Sequence, residues 1–312
     1  MARKEACTAG IAGNSLNVYH RWFNSNEEGR SHNRAMPTQF FADRSLAQRL
    51  ELAEATAAAR FVEASARIRP ELGASWTECG GAYALYDGPA SPVTQTFGLG
   101  IFEDSSPEIL DRLEKFFAER NAPVFHEVSP LAGIPTASLL HSRGYGPMEF
   151  TSILYKPVDA SEAEYRADGI TARIIGKHEA EVWARISAEG WASEQPEMLE
   201  FLGTLMAVNT GRDDFIAFLG EHEGQPAAAG GLSIAHGVAM FAGAATIPGK
   251  RGLGLQHALL AARLKHAKAA GCDLAMMGAS PGSSSQRNAE RHDFRIAYTR
   301  IKWARVEPHK TV

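Results

Sequence analysis

Cysteine is scarce in this 312-residue chain: Cys7, Cys79 and Cys272 are all it has, and they stand far apart. An odd number at such spacings supplies neither a disulfide framework nor paired metal ligands. Buried or incidental thiols in a reducing compartment are the plain expectation. No apolar run approaches the ~18 residues that a bilayer-spanning helix needs. Arg3 and Lys4 are not followed by the apolar core of a secretory signal. A basic excess is missing as well, with 32 Lys and Arg against 36 Asp and Glu and a formal net charge of −4. Sequence-independent nucleic-acid binding needs a dominant cationic surface, so that class is disfavoured. The eleven histidines are scattered and form no metal-ligand spacing. What remains is 45% hydrophobic and 22% charged, enough to build buried cores, and the length suggests about two domains. A cytoplasmic protein without nucleic-acid or membrane partners is expected.

Residues 1–35 carry Asn14, Asn17, Asn24, Asn26 and Asn33 with no sustained apolar period, and read as a disordered extension. Met36, just before Pro37, is a candidate start. From Ser45 apolar residues recur at steps of three and four (Leu46, Leu50, Ala53, Ala57, Phe61, Ala64, Ile68), predicting a helix closed by Arg69-Pro70. Strands are predicted over 75–86 and 93–102. A helix follows, opened by Ser106-Pro107-Glu108, then a strand over 124–128, a short helix over 136–143 and a strand over 148–155. The polar stretch 156–169 reads as a linker. Beyond it the pattern predicts a strand (170–175), two helices (179–190, 197–208) and three strands (215–221, 227–234, 238–247). A long helix (255–270), a strand (273–277), a short helix (285–292) and a last strand (298–306) complete the chain.

The two halves end alike. Tyr145 and Phe294, Thr136 and Ser285, and Glu108 and His257 are each 149 residues apart. Upstream, Phe102 aligns best with Thr246, which predicts that the second half holds five extra residues between strand and helix. They fall in Ile247-Pro248-Gly249-Lys250-Arg251-Gly252-Leu253-Gly254-Leu255-Gln256, and the first half then reads as a copy without this loop.

That loop concentrates the chemistry. Glycines permit positive φ and close approach of a ligand to the main chain. Free amides at a helix start, with the helix dipole behind them, form an anion site. Lys250 and Arg251 stand beside it, a combination suited to a pyrophosphate. A dinucleotide fingerprint fails because its third glycine would fall at His257, and a P-loop fails because Leu255-Gln256 replaces Lys-Ser. Arg251-Gly252-Leu253-Gly254-Leu255-Gln256, after Thr246-Ile247-Pro248, instead resembles the acetyl-CoA loop of the GNAT superfamily of N-acetyltransferases. Gln256 stands where that family has Gly or Ala. The stretch Ser285 to Phe294 resembles the family's Ser/Asn-bearing helix ending in Gly-Phe, with Asp293 in place of Gly.

The resemblance covers about 135 residues and implies an α/β protein of two GNAT-like domains, each a mixed β-sheet flanked by helices. Residues 36–158 would be a degenerate copy and 159–312 the acetyl-CoA-binding domain. It implies that the main chain of Thr246 and Ile247 pairs with pantetheine. Amides of Arg251, Gly252, Leu253, Gly254, Leu255 and Gln256 would cradle the pyrophosphate, with Ser285 and Asn288 reaching the cofactor from the far side. Many relatives carry a Glu base on the fourth strand, yet 238–246 holds no ionisable side chain. Ala289 stands where a Tyr acid is usual. Tyr298 and Ser285 are the candidate catalytic groups, with Glu221 or His236 as relays through water. The expected activity is transfer of an acetyl group from acetyl-CoA, as cosubstrate, to an amine of a small-molecule or peptide acceptor, by a monomer or homodimer. A non-catalytic acyl-CoA-binding regulator stays open beside it. Trp183 and Trp191 read as core packing or as walls of an acceptor pocket, and Met276-Met277 as a buried strand.

Overall fold

The computed structural model describes residues 40–159, 165–194 and 196–306; the expectation for 1–35 lies outside them. Helix α1 (Arg44–Ile68) starts where Asp43 accepts the Leu46 amide at 2.9 Å, and its apolar stripe from Leu46 to Ala64 is buried. It stops before Pro70, whose ring disfavours a helical residue ahead of it. Next come β1 (Ser75–Cys79), β2 (Ala82–Tyr86), β3 (Gln95–Phe97), α2 (Pro107–Ala118), β4 (Phe125–Val128), α3 (Gly133–Ser142) and β5 (Tyr145–Pro157). The single strand expected over 75–86 is instead a hairpin. Gly80 and Gly81, at φ +61° and +75°, supply the two left-handed positions of a tight turn that suits the twist of paired strands. The second half runs β6 (Ile170–Ile174), α4 (Ala180–Trp191), α5 (Leu199–Thr210), β7 (Phe215–His222), β8 (Gln225–Ala235), β9 (Val238–Thr246), α6 (Leu255–Ala269), β10 (Leu274–Ala279), α7 (Ser284–Glu290) and β11 (Arg295–Arg305). None of the described helices is long and apolar enough to cross a membrane.

The strands form one mixed sheet, ordered β1-β2-β3-β4-β11-β5-β10-β9-β8-β7-β6. The α/β class with helices against a mixed sheet is as the sequence implied, but the final strands of the two halves are exchanged. Strand β11 leaves β10 and lies between β4 and β5, pairing Ile301 with Val128 and Tyr298 with Ile153. Strand β5 fills the vacated place beside β10, with Ile153 opposite Gly278. Helix α1 packs against both halves. Ala55, Ala59 and Val62 meet Leu85 and Phe97 of the first, and Leu50 and Ala53 share a core with Val238, Leu274 and Met276 of the second. Cys79 and Cys272 are buried free thiols.

The expectation of a missing loop in the first half is corrected. Strand β3 ends at Phe97 and β9 at Thr246, the same 149-residue offset as farther along, and the loops 98–106 and 247–254 are nearly equal in length. The run Val93–Phe102 alternates like a strand, but the chain turns at Gly98-Leu99-Gly100. Both glycines have positive φ (+82° and +75°), and Leu99 and Ile101 turn into the core. The loop's carbonyls are taken internally: Arg44 donates to Gly100 and Ile101, and Gln48 to Ile101, at 3.0–3.1 Å.

Candidate acyl-CoA site

Strands β9 and β10 run parallel only over Leu274–Met276 against Val238–Met240. Beyond Met240 they part. Strand β9 continues to Thr246 with a bulge at Gly243 (φ +64°), and β10 continues to Ala279 held by β5. The gap is edged by half-buried Ala242, Gly243 and Ala244 on one side and exposed Gly278 on the other. Its edges carry only small residues, and the β9 edge beyond Met240 has no strand partner on that side among the described residues.

The glycine loop closes the upper end of this gap. A 3-10 turn at Pro248–Lys250 leads to Gly254, which heads α6 at φ +89° and offers no side-chain cap. The first amides of a helix lack the usual partner four residues back; here the His257 amide takes the Gly254 carbonyl at 3.0 Å, and no side chain caps those of Leu255 and Gln256. The equivalent helix of the first half differs. Ser106 caps α2 through its hydroxyl, with Glu103, Asp104 and Glu108 around it, which closes that end and repels anions.

Individual residues depart from expectation. The Arg251 guanidinium turns inward, donating to the Thr246 carbonyl (3.3 Å), the Gly190 carbonyl (3.0 Å) and Ser193 Oγ (2.7 Å). It clamps the end of α4 onto β9 rather than facing the cradle. Gln256 Nε2 donates to the Ala245 carbonyl and to Thr246 Oγ1, which accounts for Gln where Gly or Ala is usual. The Ile247 amide donates to Ala227 and its carbonyl accepts from Lys250. Little main chain at Thr246 and Ile247 is left for pantetheine, and at the bulge the Gly243 carbonyl already accepts from Ser187 Oγ at 3.3 Å. Lys250 Nζ lies 3.2 Å from His222 Nδ1.

Tyr165 is not legible in the sequence, because a lone aromatic in a polar linker belongs to no period. Its hydroxyl lies where a Cβ on Gly254 would be, and its ring stacks on His257 at 5.8 Å. His257 Nδ1 sits 2.5 Å from His292 Nε2. Burial, with His257 and Lys156 nearby, pushes His292 down to about 4.

On the far side, Ser285 is exposed and Asn288 half-buried on α7. This helix is tied to the first half where Ser152 Oγ donates to Gln286 Oε1 at 3.3 Å. Asp293, in the family's Gly position, has φ +63°, a left-handed conformation that Asp tolerates better than most residues. Phe294 after it is buried beneath α6.

Tyr298 lies on the α1 face, 7% exposed, and donates to Glu51 at 2.8 Å. Arg300 joins the same cluster, paired with Glu54 at 2.7 Å and Glu127 at 2.9 Å. Burial, partly offset by Arg300, raises Glu51 to about 7. Glu221 is held by Arg173 and Thr171, and His236 by Thr56. Trp183 is core, donating to the carbonyls of Phe218 and Gly230, whereas Trp191 is 55% exposed at the end of α4. Met276 is buried in its strand.

No family model matches the sequence, and no curated protein does. Solved structures do match. A GCN5-related N-acetyltransferase from Kribbella flavida superposes with a TM-score of 0.58 at 21% identity, over 79% of this chain and 95% of the other. A tandem GNAT protein from the clavulanic acid biosynthesis pathway gives 0.55 at 14% identity, over 87% and 98%. A conserved protein of unknown function from Staphylococcus epidermidis gives 0.54 at 7% identity, over 76% and 96%. With the parted strands, the glycine-headed helix and the repeated halves, this chain has the GNAT fold in its tandem arrangement.

Proposed function

We propose that residues 159–312 bind acetyl-CoA and transfer its acetyl group to an amine of a small-molecule or peptide acceptor in the cytoplasm, while residues 36–158 are a copy that binds no cofactor. The observation that carries this reading is the gap between β9 and β10 leading to the uncapped, glycine-headed start of α6. A thin pantetheine arm suits the gap, and a pyrophosphate suits helix-start amides that no side chain caps, once the Tyr165 hydroxyl moves aside. Bound there, acetyl-CoA supplies an activated acyl group. The chain's part is to hold the thioester beside the amine and exclude water, and positioning of this kind supplies much of an acyltransferase's rate.

A second reading, a non-catalytic acyl-CoA-binding protein, is favoured by one feature: the Tyr298 hydroxyl is engaged with Glu51, and β9 carries no acid or base. Calorimetric titration of acetyl-CoA into the wild type and Gly254→Glu tests the shared part. Binding near micromolar, about −8 kcal/mol, that disappears in the variant is expected. A wild type that does not bind sinks both readings. Amine-dependent release of free CoA thiol then separates transferase from regulator.

A further inference from the structure

Traced back from their loops, the two halves differ by one strand. The second half reaches β9 through β6, β7 and β8, whereas the first reaches β3 through β1 and β2 alone. Strand β6 lies antiparallel outside β7 and packs Ile170 and Ala172 against the core beneath α6. The matching place in the first half is outside β1 and under α2. No described strand fills it, and β1 is an edge of the sheet.

A groove of about 400 Å³ runs there between β1 and α2. Thr77, Cys79 and Phe116 line it together with the cations Arg112, Lys115 and Arg120. Glu119 is the one acid of the lining, 3.8 Å from Lys115 and 4.0 Å from Arg120, and Arg112 has no ion pair among the described residues. The tight turn at Gly80-Gly81 makes Cys79–Ala82 and Thr77–Ala84 the pairs that exchange ladder hydrogen bonds. The N–H and C=O groups of Trp76 and Glu78 therefore point away from β2, along the open edge.

We propose that this edge receives one extended, acidic segment of a partner protein. It would add a strand to β1 in the sense in which β6 lies on β7, with apolar side chains on Cys79 and Phe116 and carboxylates against Arg112 and Lys115. Strand addition takes its affinity from main-chain hydrogen bonds and its selectivity from alternate side chains. The surplus of cations over the single Glu119 selects an acidic partner.

The test is fluorescence anisotropy of the full chain with a labelled, capped nonapeptide of Glu and Val, beside its Lys/Val counterpart. The acidic peptide should bind. Arg112→Glu should weaken it at least tenfold and improve binding of the Lys peptide, with an unchanged circular dichroism spectrum. N-methylation of alternate peptide amides should abolish binding. An acidic peptide that does not bind, or binds equally when N-methylated, overturns the proposal. So does a dimer, seen by sedimentation, that Arg112→Glu dissociates and the peptide does not displace, since the occupant would then be a second copy. None of these outcomes depends on whether acetyl-CoA binds the second half.

Discussion

At Gly254 the backbone has φ +89° and no Cβ, and the Tyr165 hydroxyl fills the space a Cβ would take. A ligand oxygen approaching the α6 amides has to move that hydroxyl and unstack its ring from His257. Aromatic contacts of this kind are worth about 0.5–1.5 kcal/mol. Tyr165→Ala should therefore bind acetyl-CoA several-fold more tightly by calorimetry; weaker binding would make Tyr165 a ligand contact instead of an occupant of the cradle. Glu51 is the second residue with a measurable signature. Its carboxyl is wholly buried among Tyr298, Arg300, Glu54 and Glu127, and burial raises it from 4.5 to about 7. The folded state thus holds the proton more tightly than the unfolded one. The resulting stabilisation is complete below pH 4.5 and is lost as pH rises through 7. Chemical denaturation across that window should show stability falling by a few kcal/mol, at about 1.4 kcal/mol per tenfold change in proton affinity. Glu51→Gln should flatten this slope, and an unchanged slope would place the proton elsewhere. At Trp183, a buried ring with a doubly accepted N–H, replacement by Ala should cost about 3–5 kcal/mol in denaturant melts.

Among the elements, the two glycine loops have diverged in what they cap. Residues 98–102 turn their carbonyls to Arg44 and Gln48 and leave α2 to Ser106, whereas residues 251–254 leave α6 uncapped. Acetyl-CoA should accordingly bind with a stoichiometry of one per chain. Arg44→Ala should lower the melting temperature without creating a second site, and a stoichiometry of two would refute the closure. The sequence made some of this legible. The stripe from Leu46 to Ala64, the Ser106-Pro107 helix start and the Gly252-Leu253-Gly254 turn are local signals that local physics decides. The first-half loop was hidden because Gly98-Leu99-Gly100 sits inside a run that alternates like a strand. The hairpin at Gly80-Gly81 was hidden the same way, although Gly-Gly is itself a turn signal. Glu51 is hard to read from sequence because a carboxylate on a helix usually faces water. Its place beside Ala47 and Leu50 on the buried stripe was the available hint. The inward turn of Arg251 needed Gly190 and Ser193, some sixty residues away, and no local pattern records such a pairing.

On the scale of the whole molecule the exchange of β5 and β11 decides what can stand alone. A fragment 38–158 lacks the strand that separates β4 from β5, and a fragment 159–312 lacks the one beside β10. Each would expose long unpaired edges, which invite aggregation. Expressed separately, the fragments should be insoluble or melt without cooperativity; expressed together, they should purify as one complex. A monomeric 38–158 with a sharp thermal transition would show that the first half closes its own sheet. The exchange also has a consequence during synthesis. The ribosome delivers β4 and β5 long before the residues 301–304 that β4 pairs with have been translated. Domains usually fold as they emerge, N-terminal first, but this sheet stays open at its middle until β11 arrives. The nascent chain therefore carries two adhesive strand edges through about half of its translation, from Pro157 to Arg295, and its dependence on chaperones should lie in that interval.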